Sequence, residues 1–171
     1  TITGDVNNTG GNVTPGLSAG ILTISGNYIQ GAGGSLGLEL GGTTPGNAVG
    51  NQDQLVVGGS VTLGGTLNVS LLAFTPVTGN SFTVVTATGT VTGAFATRNF
   101  PALNAGLSWR NPPTVNGAAP GSVVLDVVSA SLALAPDPLA FGNQQVNTTS
   151  GALTVTLTNS GGSPATLAAA T

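Results

Sequence analysis

Five acids are the only side chains here that could donate or accept a proton near neutral pH: Asp5, Glu39, Asp53, Asp126 and Asp137. Two carboxylates held several Å apart on one face are the minimum for cleaving a glycosidic bond, and Glu39 and Asp53 lie on or beside successive predicted strands. The pattern around them points elsewhere. Glu39 alternates with Leu38 and Leu40 and so faces solvent, while Asp53 falls where it caps a loop. With no Cys, no His and no Met, the commonest zinc, iron and copper ligands are missing, as is any Ser-His or Cys-His nucleophile. Asp5 with Asn7 and Asn8 offers oxygens of the kind calcium takes, but without a glycine-rich calcium repeat the cluster reads as turn chemistry. The expectation is a protein that is not an enzyme, with no catalytic, cofactor-binding or metal residues.

Two further groups have chemistry to consider. Trp109 beside Arg110 has the makings of a sugar-stacking platform; a lone aromatic in the Pro-rich segment LSWRNPPTVNGAAPG more often packs over the end of a core. The acceptor pattern N-x-[ST] occurs at Asn7, Asn12, Asn68 and Asn147, which makes these four the candidate sites for covalent glycans. Asp5, two residues ahead of Asn7, fits the extended bacterial form of that pattern.

Charged residues make up 4% of the 171 residues and the net charge is -3, against roughly 25% charged in an ordinary soluble domain. Solubility therefore rests on Thr, Ser, Asn, Gln and Gly. Such a surface does little to repel copies of itself, and glycans would supply the hydration that charge does not. Two arginines, Arg98 and Arg110, make no basic patch for nucleic acid or anionic lipid. No apolar run approaches the roughly 20 residues of a membrane-spanning helix. The sequence starts at Thr1 without Met, so a processed product or a section of a longer chain is expected.

The elements that position these residues are strands. From Leu36 to Leu72 apolar residues recur at every second position: Leu36, Leu38 and Leu40, then Val61 and Leu63, then Leu67, Val69 and Leu71. That is strand periodicity. Gly41-Gly42, Gly58-Gly59 and Gly64-Gly65 allow turns between the runs. Strands at Ile21 to Ser25, Ser35 to Leu40 and Gln54 to Val57 recur at roughly 15 to 20 residues, at or just below the shortest solenoid periods. Further on, SFTVVTA alternates at Phe82 and Val84, and SVVLDVVSASLAL closes the stack with Val124 and Val127 near its centre and Asp126 interrupting.

The order LTISGNYIQ, GGSLGLELGGTTPG, DQLVVGGSVTLGGTLNVSLL and TGNSFTVVTATGTVTGAF resembles the end of the right-handed parallel β-helix of autotransporter-type surface proteins. The resemblance covers about three quarters of the chain. It implies an elongated, secreted, all-β stalk and says little about activity.

At Ala135 the character changes. Leu139, Phe141, Gly142 and Gln144 of an L-x-F-G-x-Q pattern, followed by Val146, alternating Leu153, Val155 and Leu157, and an Asn159-Ser160-Gly161-Gly162 turn, resemble the opening of immunoglobulin-like domains of the centrosomal, ciliary and bacterial surface-repeat type. Such a sandwich needs about seven strands and roughly 100 residues, more than Ala135 to Thr171 supplies. Two strands with one apolar face do not stand alone in water.

The expected fold is therefore all-β: a parallel β-helix (solenoid) body with a cap over residues 1–134, and a partial immunoglobulin-like segment over 135–171. The expected function is a subunit of an extracellular or cell-surface fibre, a homopolymer whose copies join head to tail by strand donation, with Leu139, Phe141, Leu153, Val155 and Leu157 as anchors. The alternative is the stalk of a larger secreted adhesin; a polysaccharide-active enzyme is a remote third.

Overall fold

A computed structural model describes residues 1–16 and 18–166. Its strands come in threes. The first three are β1 (Val6–Asn8), β2 (Asn12–Val13) and β3 (Ile21–Ile24); the next are β4 (Tyr28–Gln30), β5 (Ser35–Leu40) and β6 (Gln54–Val57). Then follow β7 (Val61–Leu63), β8 (Thr66–Leu71) and β9 (Ser81–Ala87), and after them β10 (Val91–Gly93) and β11 (Thr97–Asn99). Each strand pairs in parallel with the strand three later: β1-β4-β7-β10 form one sheet, β2-β5-β8-β11 a second, and β3-β6-β9 the start of a third.

This corrects the expected repeat. Ser35–Leu40 does not belong with Ile21–Ile24 and Gln54–Val57; it lies in a different sheet, and the true period spans three strands. Thr62 and Thr92, which stack as neighbours on adjacent strands, are 30 residues apart. The signal at 15 to 20 residues came from consecutive strands of similar composition, which periodicity alone cannot assign to separate sheets.

Inward alternation supplies the core. Leu36, Leu38 and Leu40 of β5 lie over Leu67 and Val69 of β8, and Leu55 and Val57 of β6 over Val85 and Ala87 of β9. Apolar neighbours repeat at the same inward position from strand to strand, so each added strand buries the row beneath it. Tyr28 is fully buried. Its hydroxyl donates to Gln30 Oε1 at 2.7 Å, and Gln30 Nε2 donates in turn to the Gly64 and Thr66 carbonyls at 2.7 and 3.0 Å. Asn8 does the same one layer down, accepting from Gly11 N–H and donating to the Ser35 carbonyl. These amides satisfy backbone groups at tight corners, where a strand ladder cannot reach.

The parallel pattern ends at β14 (Gly121–Ser129), which pairs antiparallel with β9 and carries β12 (Leu107–Trp109) and β13 (Thr114–Asn116), both antiparallel, on its other edge. A register shift between Val123 and Val124 puts Val84 and Val85 both in the core, along with Val123 and Leu125 rather than Val124. The opposite end has no such cover. Among the described residues β1 and β2 have strand neighbours on one side only.

Beyond the body, β15 (Leu132–Ala135) and β16 (Thr156–Asn159) form an antiparallel two-stranded sheet. β15 runs across the 134/135 boundary drawn from sequence. No helix among the described residues is long and apolar enough to cross a membrane.

Candidate functional site

The tail concentrates the expected anchors. Leu134 and Leu157 face each other in register across β15 and β16, yet both stay exposed, together with Leu132, Phe141, Leu153 and Val155. Leu139 is half-buried. Leu153 and Val155 precede β16 rather than lying in it, because Thr156 is the first residue that finds a partner, at Ala135. The tail is tied to the body at one place. Ser163, itself buried, donates its N–H to the Ser129 carbonyl at 3.3 Å and shares a 2.8 Å hydroxyl bond with Ser108, while Gly162 packs against Val128. No sequence signal marks Ser163 as an anchor point; a serine after two glycines reads as turn.

The five acids do not meet as a catalytic set, but two of them are adjacent. Asp53 is 1% exposed, and its Oδ1 accepts Gly20 N–H at 2.6 Å while its Oδ2 accepts Glu39 N–H at 2.8 Å. Burial pushes its carboxyl above the ordinary carboxylate range; the two backbone N–H groups pull it back, and the Glu39 charge adds to the rise. Asp53 is thus the cap the sequence suggested, though it ties two strands of different sheets and the Gly20 loop rather than one loop. Glu39 is only partly exposed, and its Oε2 is shut off from solvent with no hydrogen-bond partner among the described residues.

Asp5 and Asp126 are structural in their surroundings, and Asp137 is exposed in the tail. Asp5 Oδ1 accepts from the backbone and side chain of Asn27 at 2.7 and 3.2 Å, which is turn chemistry. Asp126 is a hub on the outer face of β14: it accepts from Ser81 and Thr114 hydroxyls at 2.8 and 3.0 Å and pairs with Arg110 at 3.2 Å. So Asp126 does not interrupt the strand; it faces outward between inward-facing Leu125 and Val127. Trp109 is no sugar platform. It belongs to β12, 9% exposed, stacked on Phe100 with centroids 5.6 Å apart and tilted against Phe82, its Nε1 donating to the Pro101 carbonyl at 2.9 Å.

The four acceptor asparagines fall on surfaces of different kinds. Asn7 and Asn12 are exposed, on β1 and β2, and Asn12 accepts from Ser35 Oγ at 2.8 Å. Asn68 is half-buried on the outer face of β8 and accepts from Asn99 at 2.8 Å. Asn147 is exposed in the tail, with a left-handed φ of 67°.

No protein-family model matches this chain, and no curated protein matches it. Its function therefore has to be argued from these surfaces: a body closed at one end, open along β1 and β2 at the other, and a tail whose apolar residues lie outside any core.

Proposed function

We propose that the chain is an extracellular structural protein with a parallel β-helix body, a subunit of a surface fibre whose copies join head to tail by strand donation. Parallel pairing of each strand from β1 to β8 with the one three later, with like residues stacked inward, supports the β-helix reading. The observation that carries the functional reading is the tail. Six apolar side chains are 37 to 54% exposed: Leu132, Leu134 and Leu157 on a sheet of only two strands, and Phe141, Leu153 and Val155 on the segment that joins those strands. A two-stranded sheet with an apolar face is marginal in water and gains stability from a partner. At the other end β1 and β2 present unpaired backbone groups, the kind of edge a strand from another copy extends. Repetition of one such contact between unlike ends does not close, and so grows a filament.

Electron micrographs of the purified chain test this reading: regular filaments are expected, and a field of separate particles counts against it. Replacing Val155 with Asp places a charge among the anchors and is expected to abolish assembly while the body keeps its fold; filaments that persist remove Val155 as an anchor.

The second reading is a section of stalk in a larger adhesin. It is supported by the pairing of β15 with β16 and the docking of Ser163 on Ser108 and Ser129, which begin a domain in place instead of leaving a free strand. On that reading the chain stays monomeric by light scattering at every concentration, and Val155→Asp changes nothing visible.

A further inference from the structure

The three sheets of the body do not end alike. β14 covers the last strand of the β3-β6-β9 sheet, and the Val91 N–H of β10 donates to the Gly117 carbonyl at 3.1 Å. β11 has no such cover: it pairs with β8 on one side, and among the described residues no strand lies on the other. The Thr97 N–H donates to the Gly65 carbonyl at 3.1 Å, toward β8. Bonding groups of successive residues in a parallel strand turn to opposite sides, so the Arg98 N–H and C=O face away and form the free edge. The second sheet is therefore open at both ends, at β2 and at β11, with parallel pairing throughout. By register it could continue from copy to copy, β11 of one chain against β2 of the next. Edges of this kind are where folded β proteins join unintended partners.

A charge stands at that edge. One inward position of the sheet runs Val13, Leu36, Leu67 and then Arg98 from strand to strand. Leu36 and Leu67 are fully buried and Val13 is half-buried; Arg98 takes the place of a fourth apolar side chain. Its head is held against the body, since Nη1 donates to the Phe95 carbonyl at 2.7 Å and Nε is closed to solvent with no partner among the described residues. No acid neutralises it, because the one ion pair among the described residues joins Arg110 to Asp126. The facing edge offers none either: residues 9–16 carry no charged side chain. A strand laid on β11 would seal the guanidinium between Leu67 and the next chain's Val13 without a counter-charge. An unpaired charge shut away from water costs more than a few edge hydrogen bonds return. The strand is also only three residues long, and Pro101 just beyond it has no N–H to extend a ladder.

We propose that Arg98 is a stopper: its inward charge closes β11 to strand addition, so a second copy of this chain cannot stack body on body through the second sheet. The two ends of that sheet then differ in kind. β2 presents Val13 and an uncharged turn to a partner, whereas β11 presents a cation with nothing to pair it. The inference goes beyond the fibre reading and does not rest on it, since a section of stalk needs the same protection.

The chain has no cysteine, so a disulfide can report the forbidden contact. In the continued register Thr97 of one chain lies beside Asn12 of the next, both exposed on the outer face. The strand spacing of about 4.8 Å falls within the roughly 4.4 to 6.8 Å between Cα atoms that a disulfide spans. Two single-cysteine versions of the whole chain, Asn12→Cys and Thr97→Cys, are mixed under mild oxidation, and the linked peptides are counted by mass spectrometry. With Arg98 in place the mixed disulfide should stay at the level of random collision. Adding Arg98→Leu to the Thr97→Cys chain should raise it on the order of tenfold, while Arg98→Lys, which keeps the charge, should not. Arg98→Gln, which keeps a donor for the Phe95 carbonyl, should raise it as well and decides the matter if the leucine variant fails to fold. No increase in Arg98→Leu or, failing that, in Arg98→Gln overturns the proposal, and so does an equal increase in Arg98→Lys or abundant mixed disulfide with Arg98 unaltered. Joining through the tail does not bring residues 12 and 97 together, so the outcome is separate from whether filaments form or whether Val155→Asp abolishes them.

Discussion

Glu39 and Asp53 hold each other twice. The Asp53 backbone N–H donates to the Glu39 carbonyl at 2.8 Å, and the Glu39 N–H donates back to Asp53 Oδ2 at 2.8 Å. With its other oxygen on Gly20 N–H, the Asp53 carboxylate joins the end of β5, the start of β6 and the loop before β3. Asp53→Ala leaves two backbone donors without their acceptor in a site closed to water. The expected loss is about 2 to 4 kcal/mol of unfolding free energy. Urea unfolding followed by far-ultraviolet circular dichroism reads it, and a loss below about 1 kcal/mol would mean that water replaces the carboxylate at no cost.

The same group sets a pH dependence. Burial holds the Asp53 carboxyl above its ordinary value of 3.8, so the folded state keeps this proton at pH values where the unfolded chain has released it. The folded state then binds more protons than the unfolded one, and stability falls as pH rises. The contribution is fully present below 3.8 and is lost as pH climbs through the raised folded value. Comparing the unaltered chain with Asp53→Asn, whose amide does not titrate, isolates it. The difference in stability between the two is expected to shift in favour of Asn on going from pH 3.5 to pH 7. A constant difference across that range would show an unperturbed carboxyl.

Close approach of successive layers makes one glycine irreplaceable. Gly65 has φ of +52°, and a Cβ there would run into the Gly34 and Gly31 carbonyls, both backbone. Gly50 also has a positive φ, +87°, but open space around it. Gly65→Ala should therefore cost well over 2 kcal/mol, from strain and displaced backbone together, while Gly50→Ala costs about 1 kcal/mol from conformation alone. Matched melting curves of the two variants give the comparison. Equal losses would show that the layers can part at Gly65.

Strands were legible in this sequence because one inward row per strand is enough to write a period of two. Leu36, Leu38, Leu40, Val61, Leu63, Leu67 and Val69 all lie in the core as their alternation requires. Their assignment to three sheets was not legible, since neither β5 nor β6 carries anything that names its partner; pairing at 30 residues' separation is fixed only when the corners at Asn8 and Gln30 close. Those corner amides look like ordinary loop polars in the sequence. Consecutive burial of Val84 and Val85 breaks the alternation for a reason that lies in another strand, the register shift at Val123 and Val124. Glu39 was half-read: its outward direction follows from its neighbours, but its paired bonds with Asp53 join the end of β5 to the start of β6, in a different sheet.

Trp109 reports on the closed end of the body. It packs between Phe100 and Phe82, and Phe82 in turn meets Phe74 edge-on at 6.0 Å, so one aromatic run links the β12 strand to β9 beneath. As the only tryptophan in the chain, it gives that end its own fluorescence signal. Emission in the folded state should be shifted to the blue, as for an indole shielded from water. Trp109→Ala removes the packing and frees the Pro101 carbonyl, and should cost about 3 to 5 kcal/mol. Trp109→Phe keeps most of the ring contact and loses the 2.9 Å bond from Nε1, so about 1 to 2 kcal/mol is expected. If the closed end unfolds before the parallel layers do, the fluorescence midpoint in urea will precede the circular dichroism midpoint. Coincident midpoints would instead make β12, β14 and the layers beneath them one cooperative unit.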